Sequence, residues 1–306
     1  MQAEDTLYRL SKHYLCTVSD FFDSTFSIAK IANPEEGMSD ECPIFLPPSF
    51  TCADFDVLLW YQKRYVYLPP SLYRLRIGHG VRYESEPSQE NILRAISTSR
   101  RWSVRYLYDY AFEKLQQSFH RGDIHAAIVL GVAREYGIPA LIRPAVRALA
   151  DPTISVSSWS TDPTIICHMS IVDVGVIARM KERIFVSRGA LCAPPPDVHN
   201  QQTCVAVNRA MCSASWRSFW VSDIVPKLLM ADGEPVRLSS VKDQVTHAEV
   251  PGMMEGCMAQ TVAGAIRTPG WRVEWNITDA AVDLLMVEER VMLEAGGVSD
   301  DVRMAE

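Results

Sequence analysis

Asp5-Thr6-Leu7-Tyr8-Arg9-Leu10, followed by Ser11-Lys12-His13-Tyr14-Leu15, is the stretch on which the fold reading turns. Its first half alternates as a short strand does, and its second half starts a helix capped by Ser11. A second cap, Ser19, opens Asp20-Phe21-Phe22-Asp23-Ser24-Thr25-Phe26, where Phe22 and Phe26 stand four apart on one helical face with Val18. Pro43-Ile44-Phe45-Leu46 then reads as a brief strand stopped by Pro47-Pro48. Thr51 with Asp54 three places on forms a capping box ahead of Phe55, Leu58 and Leu59. Short strands alternating with short helices predict an α+β fold.

Downstream the pattern becomes helical. Residues 61–88 are irregular, and order resumes near Asn91. Val104, Leu107, Tyr108, Ala111 and Leu115 form one apolar stripe. Asp123 is placed as the cap of a helix over Ile124 to Tyr136, ended by Gly137 and Pro139, and Pro144 is expected to kink or restart the next segment. Pro194-Pro195-Pro196 breaks the chain. Cys212, Trp216, Phe219 and Trp220 share one face beyond it, Met254, Cys257, Met258, Thr261 and Ala265 another, and a last helix is drawn from Thr278 to Leu293 with Thr278 as its cap. The resulting division is a domain over 3–150, a helical extension over 151–186, a proline-rich linker over 187–202, a helical region over 203–295 and a disordered tail over 296–306.

The run Glu4 to Leu15, then Ser19-Asp20-Phe21-Phe22 and Phe26, resembles the opening of a BTB/POZ domain. Pro43 to Leu46 and Asp54-Phe55-Asp56-Val57-Leu58-Leu59-Trp60 are similar to that family's next strand and helix. Leu68-Pro69-Pro70-Ser71, Arg101-Trp102 and Leu130 to Pro139 resemble the version common in mushroom-forming fungi. The resemblance implies a BTB/POZ-like domain that self-associates or binds another protein, including the scaffold of a cullin-type ubiquitin ligase. It places the contact surface near His13, Leu15, Phe21, Phe22 and Phe26.

Bulk properties are those of an ordinary globular protein. The 306 residues are 48% hydrophobic and 22% charged, a globular composition, and the formal net charge of −7 argues against a phosphate-neutralising surface. No run approaches the roughly 18 apolar residues of a membrane span, and the acidic start lacks a signal peptide's features, so a cytoplasmic or nuclear protein with reduced thiols is expected. Neither a nucleophile elbow nor a phosphate loop occurs, and Gly78-His79-Gly80 lacks the third glycine of a dinucleotide fingerprint. The chain is therefore read as no enzyme.

Metal chemistry has one opening. Cys192, His199, Cys204 and Cys212 are borderline or soft ligands separated by seven, five and eight residues, with Cys257 able to complete a zinc set. Structural zinc sites normally start with ligands two to four residues apart. The competing reading makes these cysteines small apolar residues in helix packing.

Overall fold

A computed structural model describes residues 1–8, 10, 12–32, 37, 39–46, 50–65, 87–192, 195–198, 204–229 and 236–297. They form two compact units, Met1–Ile124 and His125–Glu306.

The first unit opens with a two-residue hairpin, β1 (Gln2–Ala3) and β2 (Thr6–Leu7), paired antiparallel. Helices α1 (Lys12–Val18) and α2 (Asp20–Ala32) come next. Phe45 bridges Gln2 in parallel, with Gln2 N–H donating to Ile44 O at 2.8 Å. Three longer helices complete the unit: α3 (Cys52–Tyr65), α4 (Gln89–Arg101) and α5 (Arg105–Arg121). Two of the expected caps form. Ser19 Oγ accepts from Phe22 N–H at 3.3 Å, and Thr51 and Asp54 exchange backbone and side-chain bonds at 3.2 and 3.3 Å. Ser11, Gly78-His79-Gly80, Leu68 to Ser71, the linker stretch 199–202 and the tail from 298 lie outside the described residues.

Trp102 is the hub of this unit. Its ring stacks on Phe50 at 5.3 Å, meets Phe22 edge-on at 5.5 Å and touches Phe55 at 4.6 Å. Ser19 donates its hydroxyl to the Trp102 carbonyl. Beside this cluster, buried Asp54 takes hydrogen bonds from Thr98 Oγ1 at 3.2 Å and Arg101 at 3.3 Å, so α3 and α4 are pinned by a satisfied carboxylate.

The α+β expectation, with its BTB/POZ-like domain, is overturned. The chain is 73% helical, with only two short strands in one small sheet. The segments read as strands are real but minimal: Thr6 and Leu7 form a two-residue strand, Tyr8 adds backbone bonds to Met1 at 2.7 and 3.0 Å, and prolines flank the bridging Phe45. Strand periodicity over so few residues cannot distinguish a sheet from one bridge.

The second unit is wholly helical among its described residues. Its order is α6 (Ala126–Glu135), α7 (Pro139–Ala150), α8 (Val156–Ser160), α9 (Pro163–Ile166), α10 (Ile171–Cys192), α11 (Ala206–Phe219), α12 (Val225–Leu229), α13 (Leu238–Thr246), α14 (Glu255–Ile266) and α15 (Val273–Gly297). Every residue from Ala126 to Ala133 is buried, so α6 is a central rod surrounded by its neighbours. It packs on α7, and α7 packs on α10 and α15, which lie against each other.

Several boundaries differ from the sequence reading. His125, not Asp123, caps α6, its Nδ1 accepting from Ala127 N–H at 3.2 Å. Pro144 sits inside α7 without ending it. Helix α10 runs on to Cys192, past residue 187 where the sequence reading starts a linker. Thr278 lies within α15, donating to Glu274 O at 2.7 Å instead of capping. Between α11 and α12 a π turn spans Trp220–Ile224, Val225 N–H reaching back five residues to Trp220 O. Pro226, with no N–H to offer Ser222, gives the reason.

This packing makes opposite demands on two glycines. A Cβ on Gly131 would sit 1.8 Å from the His168 carbonyl oxygen, whereas one on Gly189 meets nothing within 4 Å. Gly131→Ala should therefore destabilise by about 1–3 kcal/mol, and Gly189→Ala should stabilise by about 0.5–1 kcal/mol, in urea unfolding. Burial, opposed by the charge of Asp162, holds the His125 pKa below its ordinary value. Stability from this neutral cap is present above about pH 6.5 and is lost as the pH falls below it. Thermal melts should show a steeper acid loss for the native chain than for His125→Asn, which keeps an acceptor and does not titrate.

Candidate functional site

Two features of the second unit carry functional information, a groove and a thiol cluster. The groove runs between α10 and α15. Val172, Val176, Arg179, Arg183 and Val186 line its α10 side at steps of four, three, four and three. On α15, Val273, Ile277, Ala280 and Leu284 line it at steps of four, three and four, and exposed Val287 continues the row. Both rows have the period of a coiled-coil seam.

The ends of this seam are apolar and open: Val172 is 42% exposed, and Val186, Leu284 and Val287 are also exposed. Its middle is charged. Arg179 and Arg183 are exposed, each on the seam itself, and neither has a carboxylate partner among the described residues, while Glu182 lies at one edge. A seam with valines at its ends and arginines at its centre is open to another helix.

The two walls are kept in place by Arg188, only 1% exposed. Its Nε donates to Glu274 at 2.5 Å and its terminal nitrogen to Val236 O at 2.8 Å, tying α10 to the first turn of α15 and to the chain entering α13. At the opposite end Arg134 Nε donates to buried Asp173 at 2.9 Å and its terminal nitrogen to the Leu285 carbonyl. Asp173 itself accepts from Ser170 at the start of α10. The groove thus has walls clamped from behind at both ends.

The second feature is a set of three sulfurs. Cys204 precedes α11, Cys212 lies in its second turn and Cys257 in the first turn of α14; their Sγ atoms all lie within 4.8 Å of one another. They are 2%, 1% and 0% exposed, packed against Val198 and Met253, and none is in a disulfide. Met254 N–H donates to Cys212 Sγ at 3.3 Å. Burial first, then hydrogen bonding and charge at Cys257 and Cys212, pushes the Cys204 thiol up to about 11.

The structure separates the other sequence candidates. Cys192 stands apart from the trio, its Sγ donating to Arg188 O at 3.3 Å, and His199 lies outside the described residues. Of the contact candidates in the first unit, Leu15, Phe22 and Phe26 are core; Phe21 is half-buried against Phe50, and His13 is exposed. Trp216 and Trp220 are likewise interior, 5.8 Å apart by ring centroid, with Trp216 Nε1 donating to Pro196 O at 3.0 Å. Sequence reasoning misses the groove. Its signal is present as the four-three spacing of Val273, Ile277, Ala280, Leu284 and Val287, but a last helix begun at Thr278 cuts that row in two.

No family model matches this chain, and no curated protein and no solved structure was found similar to it. No helix among the described residues is long and apolar enough to cross a membrane.

Removing Arg188 tests the clamp. Arg188→Ala leaves Glu274 without its partner and a vacancy beneath the groove, and a loss of about 3–5 kcal/mol in denaturant unfolding is expected. Arg143→Ala, which removes an exposed pair with Asp279 at 3.0 Å, should cost less than about 1 kcal/mol.

Proposed function

We propose that this chain acts as a protein-binding module, and that the α10–α15 groove receives an amphipathic helix of a partner protein whose apolar ridge is interrupted at its middle by carboxylates. The observation that carries the reading is the double seam, two rows of coiled-coil period with no third helix against them among the described residues and an arginine pair at the centre of one row. A helix laid in such a groove buries its apolar face on both walls. Desolvated arginines at its middle demand carboxylates opposite them, which sets register and excludes basic partners.

The same charges speak against a second copy as the occupant. An isologous pair presents this patch to itself, so the central arginines of one protomer would face those of the other. Opposite charge has to come from a different chain. Leu15, Phe22 and Phe26, where the sequence reading expected a contact surface, are core in the first unit, whereas the apolar rows and their central arginines lie in the second.

A designed helical peptide with leucines in heptad positions and two central glutamates is the probe. In fluorescence anisotropy it should bind saturably and more weakly as salt rises. The exposed double substitution Arg179→Glu/Arg183→Glu should weaken it by about tenfold or more, about 1.4 kcal/mol, and exchanging the peptide's glutamates for lysines should restore binding to that variant. Failure of the glutamate peptide to bind, or equal affinity for the native and doubly reversed chains, would overturn the proposal.

A further inference from the structure

The thiol cluster is independent of the groove and has chemistry of its own. Three cysteine sulfurs from two helices and the segment before one of them converge in a buried pocket. Simple apolar packing explains their burial. It does not account for the backbone donor aimed at one of them. Met254 N–H points at Cys212 Sγ at 3.3 Å, and Cys257 occupies the first turn of α14, at the positive end of the helix dipole.

The spacing is near what a tetrahedral ion demands. With Zn–S bonds of about 2.3 Å, sulfurs around zinc stand about 3.8 Å apart. The observed upper limit of 4.8 Å leaves about 1 Å of closure, within reach of small side-chain rotations. Neither Ca²⁺ nor Mg²⁺ suits an all-sulfur set, since both prefer oxygen.

We propose that Cys204, Cys212 and Cys257 bind one zinc ion through their three sulfurs and so fasten the start of α11 to the start of α14. Binding replaces three S–H bonds with three Zn–S bonds and releases three protons to solvent, giving a tris-thiolate centre of net charge −1. Arg209, whose Nε donates to the Cys204 carbonyl at 2.8 Å, brings positive charge to the same turn. Among the described residues no further His, Cys, Asp or Glu joins the trio.

Local sequence spacing is no obstacle. The customary ligand pair two to four residues apart delivers two thiolates from one turn; here a pre-helical residue and one two helical turns later do the same, and the folded helix α14 supplies the third.

The test is made on the full chain. Protein produced with zinc in the medium should carry one zinc per chain by elemental analysis. Its zinc X-ray absorption should show three sulfurs at about 2.3 Å. Chelator-stripped chain titrated with Co²⁺ should develop thiolate-to-cobalt charge-transfer absorption that saturates at one equivalent, a measurement needing no variant. Cys212→Ser and Cys257→Ser should each lower bound zinc at least tenfold, while Cys192→Ser retains it. A stripped native chain that takes up no cobalt, fewer than three sulfurs at the metal, or full zinc retained by Cys212→Ser/Cys257→Ser would overturn the proposal.

Discussion

A guanidinium that cannot reach water, that of Arg188, conditions the architecture of the second unit. Burying such a charge is costly unless it is paired, and Glu274 and the Val236 carbonyl accept from Nε and one terminal nitrogen only if α10, the start of α15 and the entry to α13 hold one arrangement; the other terminal nitrogen is buried without a partner among the described residues. Hydrophobic contact alone would let two long helices slide by a turn. The ion pair forbids this, because a shifted register would strand the charge. The Arg134–Asp173 pair repeats the device at the other end of α10, with the Leu285 carbonyl as its second acceptor. Two specific polar contacts therefore align the walls of the groove, and apolar burial supplies the bulk of the stability behind them.

That division explains why the groove persists as an open surface. The inward residues of α10, Ile177, Met180 and Ile184, are spent on the core, as are Ala281, Val282 and Leu285 of α15. The next residues around each helix form the seam, and α7 packs on both helices. An exposed row of valines and leucine is expensive to leave in water, yet the central arginines interrupt the apolar patch and discourage its collapse onto a second copy.

Legibility of this fold in the sequence tracks the range of the interactions. Ser19 and the Thr51–Asp54 box are legible because a cap is a contact across three residues. Thr278 and Asp123 mislead for the complementary reason: both are competent side chains, but α15 gains a further turn from Val273 because Glu274 is held by Arg188, and α6 starts where His125 Nδ1 meets Ala127 N–H. The α+β class fails because the period-two alternation of Asp5 to Leu10 and of Pro43 to Leu46 is too short to report whether a strand has neighbours. Phe22 and Phe26 do share a face, but which face is interior depends on Trp102, far along the chain.

The cysteines show the same limit from the other side. Residue type alone singles out Cys204, Cys212 and Cys257, and Cys192 with them, yet only the folded chain separates a trio from a bystander. Separation along the chain is the wrong measure. An α-helix brings residues two turns apart to one side, so the eight residues from Cys204 to Cys212 are compatible with convergence, and Cys257 arrives because the chain from α13 turns at Gly252, in the left-handed region, to start α14 beside it. If the sulfurs hold an ion, the stability of this corner depends on metal and on proton release, whereas the groove depends on apolar burial and two ion pairs, each with one buried partner. The two sites should then respond to different conditions: a chelator should loosen the joint of α11 and α14, and salt should weaken the partner at Arg179 and Arg183.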